Sequence, residues 1–229
     1  MALGSSSTEG AGASKPEFTY PAPLAAALRR APDRQATVRV FNRGVGGELA
    51  TDMVGRLHRD ALSLRPHLVV WQTGVNDAIG GVPLAEFRTT LSRGIEIIRA
   101  AGTDVIMLDM QYYPGSRDVP DYENYASAMR SVAAQHRVGT LSRYAFMRHQ
   151  IERASFTPEQ LLAGDLFHLN DLSYQCLGNL VADGIASGLQ GATERTLIAE
   201  IAGADFVAVR REVAAQYVPR RPTRGDTAP

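Results

Sequence analysis

This chain has too few cysteines for a disulfide or a thiolate metal cluster, and no excess of either charge. Cys176 is the single cysteine among 229 residues; that excludes an internal disulfide and a cysteine-based zinc site, and leaves the redox compartment open. Lys15 is the only lysine, so arginine supplies the other basic side chains, a bias that reflects base composition rather than a function. Basic and acidic residues balance at 24 each, which gives nucleic acid or an acidic membrane surface nothing to hold. No apolar run approaches the roughly 20 residues of a membrane helix. No charged-then-apolar leader precedes Gly4, so the chain reads as soluble with no export signal in view.

What is present is enough apolar residues, 45%, for one substantial core. Short β-branched runs alternate with longer stretches of helical period, the pattern of a parallel sheet covered by helices. The expected strands are 2–4, 37–41, 67–72, 104–110 and 139–144; the expected helices are 21–30, 48–64, 83–101, 121–136 and 172–189. Together they predict a three-layer α/β/α sandwich, flavodoxin-like, with a five-stranded parallel sheet and reactive groups at the carboxyl ends of its strands. Residues 1–190 form this domain. Residues 191–218, with Leu197, Ile198, Ile201, Phe206, Val213 and Tyr217 near helical spacing, predict a helical extension. Residues 219–229, "PRRPTRGDTAP", predict a disordered tail.

Four polar segments break this pattern: "GSSSTEG" at 4–10, "NRGVGGE" at 42–48, "TGVND" at 73–77 and "DLFHLN" at 165–170. The first three are expected to follow strands and the fourth to precede the last core helix, so all four can meet at one sheet edge. Serine acyl transfer needs a hydroxyl nucleophile, an imidazole base, a carboxylate that orients it, and donors for the developing oxyanion. Ser5, Ser6 and Ser7 offer the hydroxyl. Asp165 and His168, three residues apart, can pair on a turn, though Asp165 or Asn170 could equally cap the helix that follows. His58, His67, His136 and His149 lie among charged or surface positions. Gly44, Gly46 and Gly47 allow a sharp turn that exposes an amide. Asn76 carries a neutral amide suited to an oxyanion, and Asp77 is read as the cap of the segment after it. A metal site would need a third ligand near Asp165 and His168, and none stands close in sequence.

In this order, the four segments resemble the blocks of the SGNH hydrolase superfamily, the GDSL-type esterases and lipases. That family's first block reads Gly-Asp-Ser-x-Thr/Ser-x-Gly, and Gly4, Ser6, Thr8 and Gly10 fall on its frame. The resemblance implies Ser6 as nucleophile, Asp165 and His168 as its partners, and an oxyanion hole of the Ser6 and Gly47 amides with the Asn76 side chain. Ser5 replaces the family's aspartate, and Val75 its commoner threonine. The resemblance covers residues 2 to 189. It implies a carboxylic ester hydrolase without cofactor or metal, acting on a small-molecule or carbohydrate ester, first of all an O-acetyl group. Lysophospholipid and thioester hydrolysis, acyl transfer by the same triad, and a binding module without catalysis are the alternatives. Tyr112 and Tyr113, past the fourth strand, are candidates to line the substrate.

In that family's sheet the first strand lies between the second and third. Residues 1–3 are too few to cover partners as long as 37–41 and 67–72, which predicts a natural protein starting upstream of Met1.

Overall fold

The computed structural model describes residues 1–30 and 37–188. The expected extension and tail at 191–229 lie outside these residues. Five strands, β1 (Ala2–Gly4), β2 (Asn42–Gly44), β3 (Leu68–Gln72), β4 (Asp104–Leu108) and β5 (Gly139–Leu141), form one parallel sheet in the order β2-β1-β3-β4-β5.

The order explains the layers. Parallel neighbours need crossovers, and right-handed crossovers place connections running in opposite directions on opposite faces of the sheet. The step from β1 to β2 is made through α2 (Pro21–Arg30). The steps the other way are made through α3 (Ala50–Asp60), α5 (Leu84–Ala100) and α6 (Tyr122–Gln135). These three pack in series, while α2 packs on α9 (Asp171–Ala186). Each shows its apolar stripe: α5 buries Phe87, Leu91, Ile95 and Ile98 at helical spacing, each contributing about 1.5 to 3 kcal/mol when fully buried. The strands β3 and β4 are apolar on both faces, as a covered parallel sheet requires.

Two expectations are corrected. The second strand is Asn42–Gly44; residues 37–41 lead into it outside any strand, with the Ala2 amide of β1 donating to the Phe41 carbonyl at 2.9 Å. Residues 42–44 therefore belong to the strand, and only Val45–Glu48 form the loop beyond it. The partner of β1 on this side is consequently as short as β1 itself, pairing Ala2 with Asn42 and Gly4 with Gly44. On the other side the Met1 ammonium donates to the Leu68 carbonyl at 2.8 Å, and the Val70 amide to the Met1 carbonyl at 2.8 Å. The expectation of a gap beside β1 rested on both neighbouring strands being longer; β2 is not, while β3 is, with Met1 bonded to Leu68 and Val70 on that side.

Short helices add to the expected set: α1 (Ser6–Glu9), α4 (Val75–Ile79), α7 (Arg143–Glu152) and α8 (Pro158–Leu161). Two of them, α1 and α4, carry the site.

Candidate active site

The serine triplet is sorted by two buried glutamines. Gln72, the last residue of β3, accepts at Oε1 from the Ser5 amide (3.1 Å) and the Thr8 hydroxyl (3.0 Å), and its Nε2 donates to Ser5 Oγ (3.2 Å). Gln111, beyond β4, accepts at Oε1 from Ser7 Oγ (3.2 Å) and from Arg143 Nη2 (3.0 Å). Ser5 and Ser7 are thus turned into the protein, at 3% and 1% exposure. Ser6 between them is half-exposed.

Ser6 Oγ lies 3.1 Å from His168 Nε2, and His168 Nδ1 lies 2.6 Å from Asp165 Oδ2. The other carboxylate oxygen of Asp165 accepts from the amides of Phe167 (3.0 Å) and His168 (2.9 Å), so the loop closes on its own acid. Burial opposes the charge on Asp165, but the bonds from the His168 ring and these two amides outweigh it and hold the carboxyl down at about 2. Capping of α9 falls to Asn170, whose Oδ1 accepts from the Ser173 amide at 3.0 Å. Asp165 is left to the imidazole.

Three strand ends converge on Ser6. Gly44 lets β2 approach α1 backbone to backbone: a β-carbon there would sit 1.9 Å from the Glu9 nitrogen. The chain then turns through Gly47, whose φ of 79° suits glycine. Neither the Ser6 nor the Gly47 amide donates to another described residue. Asn76, in α4, donates one Nδ2 hydrogen to the Glu48 carbonyl at 2.8 Å. Asp77 does not cap the segment after it. Its oxygens lie 3.0 and 3.3 Å from the Ala50 amide, so it caps α3, earlier in the chain. Burial pushes its carboxyl up against that bond. Asn76 and Asp77 together stitch the Gly47 loop to α4.

The two candidate tyrosines part company. The Tyr113 ring meets Phe167 edge-on at 4.8 Å, and Phe167 meets the His168 ring at 4.7 Å, which links Tyr113 to the site through one side chain. Tyr112 instead packs on Tyr144, accepts from Arg117 Nε at 3.1 Å, and lines a separate cleft of about 360 Å³ that none of Ser6, Gly47, Asn76 or His168 borders. Among the other histidines, His58, His67 and His149 are exposed and His136 is half-buried. Among the described residues, no three His, Cys, Asp or Glu side chains group as metal ligands would, and no helix is long and apolar enough to cross a membrane.

Gln72, Gln111 and the capping role of Asp77 were not read from the sequence. A polar residue closing an apolar strand run, as in "LVVWQ", is the signal that could have found Gln72.

A five-stranded parallel sheet with these polar segments at its strand ends has the architecture of the SGNH hydrolases. Residues 1–191 match the non-GDSL lipase-like family, and the chain belongs to that family. Esterase TesA of Pseudomonas aeruginosa is 29% identical over 111 residues, 48% of this chain and 54% of that protein, so the match spans about half of TesA. A lipolytic protein of the G-D-S-L family from Desulfitobacterium hafniense superposes with a TM-score of 0.67 at 22% identity, covering 80% of this chain and 96% of that one. The acetylxylan esterase Axe2 of Geobacillus stearothermophilus gives 0.65 at 18% identity, covering 83% and 93%.

Proposed function

We propose that the protein is a serine esterase that removes short acyl groups, first of all acetyl groups from carbohydrates, with Ser6, His168 and Asp165 as its triad. The observation that carries this reading is the line of contacts from Asp165 Oδ2 through the imidazole to Ser6 Oγ, 2.6 and 3.1 Å. In the mechanism, Ser6 Oγ attacks the acyl carbon as His168 Nε2 takes its proton. Asp165 holds the tautomer with the proton on Nδ1 and stabilises the imidazolium. The oxyanion accepts from the Ser6 and Gly47 amides and from the second Nδ2 hydrogen of Asn76. The alcohol leaves with the proton from His168, and water repeats the sequence on the acyl-enzyme.

The acetyl-carbohydrate assignment draws on an open site, with Gly47 exposed and the Asp165 side chain 48% exposed, and on the fold shared with an acetylxylan esterase. A second reading, a longer acyl chain, is favoured by three exposed apolar residues near the site: Val45 at 43% and Leu166 at 38% on its loops, and Ile79 at 50% at the end of α4. Two assays separate the possibilities. A fluorophosphonate should label wild type and not Ser6→Ala; no labelling of folded wild type refutes the catalytic reading. Nitrophenyl esters of increasing length, beside acetylated xylan and a lysophospholipid, should give kcat/KM falling from acetate onward. A maximum at long chains transfers the assignment to lipid.

A further inference from the structure

We infer that Glu9 is a specificity-determining charge at the mouth of this site, favouring esters with uncharged or cationic alcohol portions over anionic ones; the inference rests on the reading of Ser6 as the nucleophile. Ser6 and Glu9 are the first and last residues of α1, three apart and hence on one helix face. A β-carbon placed on Gly46 would lie 2.8 Å from Glu9 Oε2 and 3.9 Å from Ser6 Cβ. The carboxylate and the serine therefore flank the same glycine, in the turn that presents the Gly47 amide.

Glu9 is exposed, and among the described residues its carboxylate makes no hydrogen bond or ion pair. Its backbone is held instead: the carbonyl accepts from Asn42 Nδ2 at 3.3 Å, which fixes the residue and leaves its charge free. The neighbouring acids are engaged. Asp165 pairs with His168, Glu48 with Arg56 at 2.6 Å, and Asp77 with the Ala50 amide. Glu9 thus stands as a carboxylate with no bonded partner among the described residues, beside a reaction that develops another negative charge. It slows acyl transfer for every substrate, so what it offers is discrimination, the use of repulsion against the wrong ligand. In a half-solvated setting close to the reacting centre, one like charge changes the rate about three- to tenfold. Polyanionic acyl carriers are rejected more strongly. Neutral sugar acetates are not.

The test compares the full chain with Glu9→Gln on three acetate esters: phenyl acetate, 4-acetoxybenzoate and acetylcholine. Each kcat/KM is taken as a ratio to phenyl acetate. The substitution should raise the anionic ratio about three- to tenfold and lower the cationic ratio by a similar factor. In wild type, raising the salt well above 0.1 M, where the Debye length is about 10 Å, should raise the anionic ratio and lower the cationic one; in Glu9→Gln both should move much less. Unchanged ratios, or a shift of the same sign for both charged esters, overturn the inference. Should Glu9→Gln fail to fold, the wild-type salt response decides alone, and a flat response overturns it. The nucleophile reading fails by a different sign: Ser6→Ala turning over phenyl acetate at close to the wild-type rate.

Discussion

Asp77→Ala probes how the fold holds the Gly47 loop. Asp77 is 1% exposed, and its oxygens sit 3.0 and 3.3 Å from the amide of Ala50, the first residue of α3, with the Thr73 hydroxyl at 3.4 Å. Losing a helix cap costs about 1 kcal/mol, and a buried donor left without its acceptor costs about 1 to 3 kcal/mol. Because both figures describe the same lost bond at Ala50, they do not add, and the total is about 1 to 3 kcal/mol. For a domain of this size each kcal/mol moves the melting temperature by about 2 to 4 °C, so a fall of about 2 to 12 °C is expected. Asp77→Asn keeps an acceptor for Ala50 and removes a charge that burial already disfavours, and should cost under about 1 kcal/mol. With one of its two stitches gone, the loop should also lose precision, lowering kcat about tenfold with KM nearly unchanged. Circular dichroism melts and acetate-ester kinetics well below the melting point measure both. An Asp77→Ala melt within about 1 °C of wild type, or an Asn variant as damaged as the Ala variant, would refute the capping argument.

Ser6→Ala should lower turnover by about 10⁴- to 10⁶-fold, whereas Ser5→Ala and Ser7→Ala, whose hydroxyls face Gln72 and Gln111, should keep most activity; the reverse pattern of Ser5 and Ser6 in ester assays would undo the assignment. Asn76→Ala should reduce kcat by about 10²- to 10³-fold with little change in KM, and a change confined to KM would move Asn76 to ground-state binding. Asp109 is fully buried and its carboxyl is pushed up to about 6 by desolvation, against bonds from the Tyr144 amide and Ser142. The folded state therefore holds this proton more tightly than the unfolded chain, and stability falls as pH rises from about 4 to about 6, by about 3 kcal/mol. Denaturant titrations across that window should lose this slope in Asp109→Asn; an unaltered slope would assign it to another group.

Long elements were legible because their periodicity is a property of many residues at once. The helix at Pro21–Arg30 and the strand at Ala2–Gly4 match the sequence reading, and β3 differs by one residue. β2 was misplaced because its residues, Asn42, Arg43 and Gly44, carry no apolar signal; close approach to α1 at Gly44 is a constraint the local pattern does not express. Helices as short as Ser6–Glu9 and Val75–Ile79 span about one turn, too little for a stripe to show. The expected strand at 139–144 ended at Leu141 because Ser142 and Tyr144 turn back onto Asp109, at 2.9 Å each, and begin a helix instead. Arg143, a charge at 2% exposure, is held by a contact with Gln111 that only the fold creates. At the site, residue types and spacing carried the reading as far as a set of candidates, and the choice among three serines came from the family frame. The glutamines that turn the other two inward lie 67 and 104 residues away in sequence from the hydroxyls they hold.

The bond from Asn76 Nδ2 to the Glu48 carbonyl has a consequence for how the site responds to heat. An amide tethered by one hydrogen cannot swing over to offer its oxygen, and its anchor is the carbonyl next to Gly47, so the side-chain donor and the turn that bears the backbone donor travel as one piece. Little orientational freedom then remains to be frozen when charge reaches the acyl oxygen, and the barrier should be largely enthalpic. An Arrhenius plot of kcat should stay straight up to the temperature at which this tether and the Asp77 bond to the Ala50 amide let go, and both proposed donors should be lost there together, ahead of the global melt.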